Sequence, residues 1–135
     1  MLITELLGEA TEYDKKQAVE TKKPKSWLKS VSAFANGSGG MLVFGVADND
    51  DIIGLADIKS ASEFVSQKIK ERIDPLPEIF MELHKVEGDK DILTVKVMVG
   101  EETPYYYKGD GSMEAFIRIG NETVTASAAE LKRLV

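Results

Sequence analysis

Residues 27–48 read WLKSVSAFANGSGGMLVFGVAD, and the fold turns on how this stretch divides. Trp27, Leu28, Val31, Phe34 and Ala35 recur at helical spacing, while Lys25, Lys29, Ser30 and Ser32 fall mostly off that stripe, which predicts an amphipathic helix. Asn36-Gly37 supplies residues that tolerate the left-handed conformation of a helix C-terminus. Beyond Gly39-Gly40, the run Met41 to Ala47 contains no polar side chain, as expected of a strand covered on both faces. Such a strand is central, and this one leaves the core through Asp48.

Working outward toward the N-terminus, Leu2, Ile3, Leu6 and Leu7 form one face of a short helix ending at Gly8, Thr11 to Lys16 is extended, and a polar loop runs to Pro24. On the other side, Asn49-Asp50-Asp51 is a turn that lets Ile52 to Leu55 pair back on the central strand. Ser60 with Glu63 forms a capping box for a helix whose apolar face carries Ala61, Phe64 or Val65, Ile69 and Ile73, and Asp74-Pro75-Leu76-Pro77 stops it. Ile79, Met81 and Leu83 alternate with polar or opposite-facing neighbours, as do Leu93, Val95, Val97 and Val99 beyond the Gly88-Asp89 turn, giving an antiparallel pair. Gly109-Asp110-Gly111 joins a second hairpin, Gly120-Asn121 turns into Glu122 to Thr125, and Ser127 with Glu130 caps a terminal helix bearing Leu131 and Leu134. The sum is one α+β domain over residues 1–135, with a mixed, mostly antiparallel sheet and about three helices.

A chain of 135 residues buries roughly two-thirds of its unfolded surface and needs no staple. The absence of cysteine excludes disulfides and thiolate metal sites and suits a reducing compartment. With no apolar run of membrane-spanning length and no basic-then-apolar leader, the expectation is a cytoplasmic protein without a membrane partner. The net charge of −6 weighs against retention on nucleic acid by overall charge, but Lys15, Lys16, Lys22, Lys23, Lys25 and Lys29 crowd one segment and could form a local phosphate-contacting face. A solvated loop and helix start is the plainer alternative.

The glycines at 37–40 invite comparison with phosphate loops. No Lys-Ser or Lys-Thr follows them and the order is helix, glycines, strand, so neither the Walker nor the dinucleotide pattern is met, and ATPase chemistry is not expected. Glu9, Glu12, Asp14, Asp48, Asp50 and Asp51 lie on two segments beside predicted strands, an oxygen-rich grouping of the kind that holds Mg²⁺ or Mn²⁺. His84 is the lone histidine and reads as a strand residue. Tyr105, Tyr106 and Tyr107 could stack on bases, although consecutive strand residues cannot all face one way. Arg118, inside an apolar strand, must face solvent, pair with a carboxylate or grip a phosphate.

SAFANGSGGMLVFGVADNDDIIGL closely resembles the signature of the Schlafen AlbA-like domain: a helix ending in Ala-Phe-Ala-Asn, a glycine pair, an apolar strand into Gly-Val, an acidic turn and Ile-x-Gly. EATEYDKK resembles that domain's leading motif through Glu9, Asp14 and Lys16, FIRIGNETVTAS its late segment through Arg118, Gly120, Asn121 and Thr123, and AELKRL its terminal helix. The resemblance implies a nucleic-acid-binding module forming the N-terminal part of a longer bacterial transcriptional regulator or helicase-related protein. It also implies that two such lobes can pair. In members that cleave RNA, three carboxylates hold a divalent metal, and by motif these would be Glu9, Asp14 and Asp48 here. Two positions depart from the pattern: Asp14 stands where glutamate is usual, and Lys15 where an aromatic is usual.

The expectation carried forward is nucleic-acid (DNA) binding by phosphate contacts from Lys16, Lys22, Lys23, Lys25 and Arg118, with no cofactor. The alternatives are a metal-dependent endoribonuclease using Glu9, Asp14 and Asp48 with Mg²⁺ or Mn²⁺, and a dimerisation or protein-interaction module.

Overall fold

Helix α1 (Lys25–Asn36) is wrapped on nearly all sides, with eight of its twelve residues buried. The computed structural model describes residues 12–135. The helix expected at the N-terminus and Glu9 lie outside them.

A four-stranded sheet flanks α1 on one side, with β1 (Tyr13–Lys16), β2 (Gly40–Phe44), β5 (Lys90–Val97) and β4 (Ile79–Val86) in that order. β1 runs parallel to β2, and the other pairs are antiparallel. A second, antiparallel sheet orders β3 (Ile73–Asp74), β6 (Tyr106–Gly109), β7 (Ser112–Ile119) and β8 (Glu122–Thr125). Helix α2 (Ile58–Arg72) follows β2, and α3 (Ala128–Leu134) closes the chain. Three helices and two mostly antiparallel sheets among the described residues make this an α+β fold, as expected. The division of the strands between two sheets departs from the single sheet expected.

The apolar stripe of α1 behaves as read. Trp27, Leu28, Val31 and Phe34 pack with Leu42 and Phe44 of β2, Leu93, Val95 and Val97 of β5, and Val65 and Ile69 of α2. On the far face of the same sheet, Val43 clusters with Val46, Val86 and Ile92, so β2 is central and covered on both faces.

The polar side of α1 corrects the amphipathic expectation. Ser30 and Ser32 are 1% and 0% exposed, because the second sheet packs where solvent was expected. Ser32 Oγ donates to Tyr105 O (2.7 Å) and accepts from Phe116 N (3.1 Å). Asn36 accepts from Tyr105 N (2.7 Å) and donates to Tyr105 O (3.0 Å) and Phe116 O (2.9 Å). The β6–β7 ladder ends at Tyr106 opposite Ala115, and one residue further these two side chains take over the bonds that the strands no longer exchange. Buried polar groups survive because each finds a partner.

Three further expectations shift. The left-handed residue after α1 is Gly39 (φ +81°), whereas Gly37 has φ −114°. A Cβ on Gly39 would stand 2.9 Å from Val97 O, so glycine here permits both the turn and the close approach of β5. The central strand ends at Phe44 because Gly45 (φ +105°) turns the backbone, and the segment from Ile52 contributes only the isolated bridge Val46–Ile52 and bonds from Ile53 and Gly54 N–H to Gly45 O. Helix α2 starts earlier than the Ser60–Glu63 pattern suggested, since Asp57 is its cap and accepts from Ser60 N at 3.1 Å and Ser60 Oγ at 2.8 Å. The Ser127–Glu130 capping box of α3 forms as read.

The Asp57 cap makes α2 acid-sensitive. Bonds from the Ser60 backbone and then its hydroxyl hold this carboxyl below the usual aspartate range. A group depressed on folding stabilises the native state above its unfolded pKa, about 3.9, and loses that contribution as pH falls through the lower folded value. Thermal unfolding of wild type and Asp57→Asn should therefore converge as pH drops below about 4. Parallel curves through that window would exclude this contribution.

Candidate functional site

Strand β1 lies at the open edge of the first sheet, and alternation along it sends neighbouring side chains to opposite faces. Asp14 faces α1: its Oδ2 accepts from Ser30 Oγ at 2.8 Å and stands 3.6 Å from Lys16 Nζ. Ser30 Oγ is also 3.2 Å from Thr123 Oγ1, which connects β1, α1 and β8. On the opposite face, Lys15 pairs with Asp50 and lies over the Tyr13 ring.

Arg118 joins the two sheets. From β7 its Nε stands 3.4 Å from Glu12 Oε2, Nη1 donates to Thr123 Oγ1 at 2.8 Å, and Nη2 donates to Tyr13 O at 3.3 Å. Its guanidinium also covers the Phe34 ring at 5.2 Å. With a side chain 10% exposed, Arg118 satisfies the choice posed by its apolar strand by pairing with a carboxylate and a backbone carbonyl.

Between β1 and the β7–β8 turn lies a cleft of 710 Å³ lined by Glu12, Asp14, Lys15, Asp48, Arg118 and Asn121, among others. A second cleft of 270 Å³ shares Asp14, Arg118 and Asn121 and adds Lys16, Lys29, Ser30, Glu122 and Thr123. Together they form a groove lined chiefly by charged and polar side chains. Of the predicted residues, the structure brings together Asp14, Asp48, Lys16 and Arg118. Lys22 and Lys23 are exposed on the loop before α1, where their N–H groups donate to Glu20. Lys25 pairs with Glu114 and lies over Tyr107 and Phe116; the Glu114 hydrogen bond raises it above the ordinary lysine range.

Lys29, read in the sequence as one of the clustered lysines, and Asn121 and Thr123, noted there in the late motif, join the groove although none was in the contact set carried forward. The available signal for Lys29 is its place one helical turn after Lys25, since residues four apart share a helix face. The tyrosine platform does not materialise, because Tyr105 and Tyr107 are buried at 4% and 0% exposure. His84 is hydrogen-bonded to Thr94 Oγ1 at 3.0 Å, a strand role as expected.

Mg²⁺ or Mn²⁺ calls for several oxygen ligands around one point. Asp14 and Asp48 border the same cleft, but among the described residues no group of three His, Cys, Asp or Glu side chains gathers to hold an ion. The described residues alone do not supply the donor set. Among them, too, no helix is long and apolar enough to cross a membrane.

Residues 9–127 match the family described as Schlafen, AlbA_2, and the chain belongs to that family. Among solved structures, it is similar to the N-terminal domain of a protein from Nitrosomonas europaea described as related to the ATP-dependent DNA helicase RecG. That match has a TM-score of 0.61 at 26% identity, covering 89% of this chain and 86% of the other. No curated protein matches the chain.

Proposed function

We propose that this domain binds nucleic acid, DNA in the first instance, along the groove beside β1, as the N-terminal part of a bacterial transcriptional regulator or helicase-related protein. The observation that carries this reading is the convergence of Lys16, Lys29 and Arg118 on one polar groove, supported by the family and by the helicase-related neighbour. Lys29, paired with no carboxylate among the described residues, and Lys16 take phosphates at one end. The lysines at 22, 23 and 25 extend the cationic track toward the start of α1, with Lys25 contributing less because Glu114 already neutralises it. Arg118 contributes from the groove wall while holding β1 and β7 in place. Asp48 repels phosphate from the far cleft, while Asp14 and Glu122 stand among the lysines and limit the phosphate contacts to the outer ends of Lys16 and Lys29, which leaves the Asn121 amide to meet a base edge.

A fluorescence-anisotropy titration with a labelled duplex tests this. Lys16→Ala combined with Lys29→Ala should weaken binding about tenfold at low salt and make the log–log salt slope shallower by roughly 2. An affinity and slope equal to wild type would remove the groove from the interface.

The endoribonuclease reading is favoured by one observation, the shared placement of Asp14 and Asp48 in the cleft. It requires cleavage of structured RNA in Mn²⁺ that disappears in Asp48→Ala. Binding without cleavage leaves the domain a binding module.

A further inference from the structure

Strand β4, residues 79–86, reads IFMELHKV and occupies the edge of the first sheet opposite β1. Among the described residues, nothing pairs with its outer side. Glu78 O accepts from Met98 N at 3.0 Å, and the ladder continues with Ile79 opposite Val97. Antiparallel bonding alternates, so Phe80, Glu82, His84 and Val86 direct their backbone groups to β5, while Met81, Leu83 and Lys85 direct theirs outward. An edge of eight residues with this many free donors and acceptors is a template for another strand unless something blunts it. Here it carries no proline, and Phe80 and Leu83 are 50% and 54% exposed.

We infer that β4 pairs antiparallel with β4 of a second copy, about a twofold axis at Leu83, to join two sheets into one of eight strands. The outward backbone groups belong to odd-numbered residues, so a self-paired ladder must place odd residues opposite odd residues. That leaves five central registers, centred on residues 81 to 85. Centring on Glu82 sets two carboxylates against each other, and centring on His84 sets Leu83 against Lys85 and Glu82 against Val86, which leaves the charges unmatched. Centring on Met81 sets Glu82 against Phe80 and shortens the ladder at the proline-rich turn before β4. Centring on Lys85 places two ammonium groups together, which like-charge cross-strand pairing penalises. Centring on Leu83 sets Leu83 against itself, Glu82 of each copy opposite His84 of the other, and Phe80 opposite Val86. It also uses the whole strand, with about six central backbone hydrogen bonds.

The side chains on both faces suit the same register. Glu82 is 70% exposed and stands 3.8 Å from His84 Nε2 in its own chain, so the pairing alternates acid and imidazole across the joint. On the other face, Met81 and Leu83 floor a groove of 660 Å³ walled by Ser66, Gln67, Lys70 and Glu71 of α2. An added strand continues the pleat, so Leu83 and Lys85 of the second copy fall over this groove, whose wall carries both Lys70 and Glu71. The complementarity of β4 to itself selects a second copy over an unrelated peptide.

Sedimentation velocity of the full chain, whose monomer is 14.8 kDa, tests the pairing. The expected species has twice that mass. Leu83→Lys should convert it to monomer with an unchanged circular dichroism spectrum, because the side chain is half exposed. The absence of cysteine permits a register test: Glu82→Cys mixed with His84→Cys should cross-link on oxidation more efficiently than either variant alone. A monomer persisting at about 100 µM overturns the inference, whether the edge is then vacant or taken by another protein's strand. A dimer that survives Leu83→Lys, or cross-links without this register preference, overturns it equally. None of these outcomes depends on nucleic acid, so they stand apart from the groove test.

Discussion

Replacing Trp27 with alanine is expected to lower the unfolding free energy by about 4 kcal/mol, within the range for deleting a fully buried large aromatic. The side chain is 0% exposed and meets three elements at once. Its ring stands edge-on to Phe44 of β2 at 5.6 Å and tilted against Phe64 of α2 at 6.5 Å. Its indole N–H donates to Glu20 O at 3.0 Å, which pins the loop carrying Lys22 and Lys23. Alanine leaves a cavity where α1, β2 and α2 meet and also strands a carbonyl, so transfer, cavity and hydrogen-bond losses add. Trp27→Phe should fall between, keeping most of the packing and losing the Glu20 bond. Urea denaturation measures both, and a loss under about 1 kcal/mol for the alanine variant would mean that the junction collapses without cost.

Asn36→Ala should cost about 3 kcal/mol, lowering Tm by roughly 10 °C for a domain of this size. The amide makes three bonds to the backbone of Tyr105 and Phe116, at a level where the β6–β7 ladder no longer supplies them. Removing the side chain leaves Tyr105 N–H and Phe116 O without their partner, while Tyr105 O keeps the Ser32 hydroxyl, and two unpaired groups cost more than the bonds themselves contribute. Asn36→Asp should rescue little. It keeps an acceptor for Tyr105 N–H but turns a carboxylate toward the two carbonyl oxygens that the amide had served. Wild-type stability in Asn36→Asp would show that the acceptor alone matters.

These two residues also mark the boundary of what the chain discloses before it folds. Trp27 is legible as core because its apolar partners recur at helical spacing. Asn36 and Ser32 read as a helix end and a polar face, because their partners lie 69 and 73 residues away or further and no local pattern announces a second sheet. The β4–β5 and β6–β7 hairpins, the cover on both faces of the central strand and the Ser127–Glu130 cap are local signals and appear as read, whereas the hairpin expected from Ile52 shrinks to one bridge. The start of α2 is displaced because Asp57 and Ser60 both precede acceptable helix positions, and the earlier side chain captures the later N–H. In the groove, Asp14, Asp48, Lys16 and Arg118 are selected by the sequence and do converge. Lys29 is visible only as one of several clustered lysines and Thr123 only within the late motif, since their contribution depends on α1 and β8 meeting beside β1. Arg118 combines both cases, with its importance visible in the sequence and its partners Glu12, Tyr13 and Thr123 visible only once the sheets are joined.

The salt dependence of nucleic-acid affinity tests the central claim most directly. If Lys16, Lys22, Lys23, Lys29 and Arg118 displace counterions from a duplex, log Kd plotted against log salt concentration should rise with a slope of about 4.5, or about 3.5 for a single strand. A slope near zero, or no detectable binding to either form at low salt, would contradict the assignment of this groove to phosphate recognition.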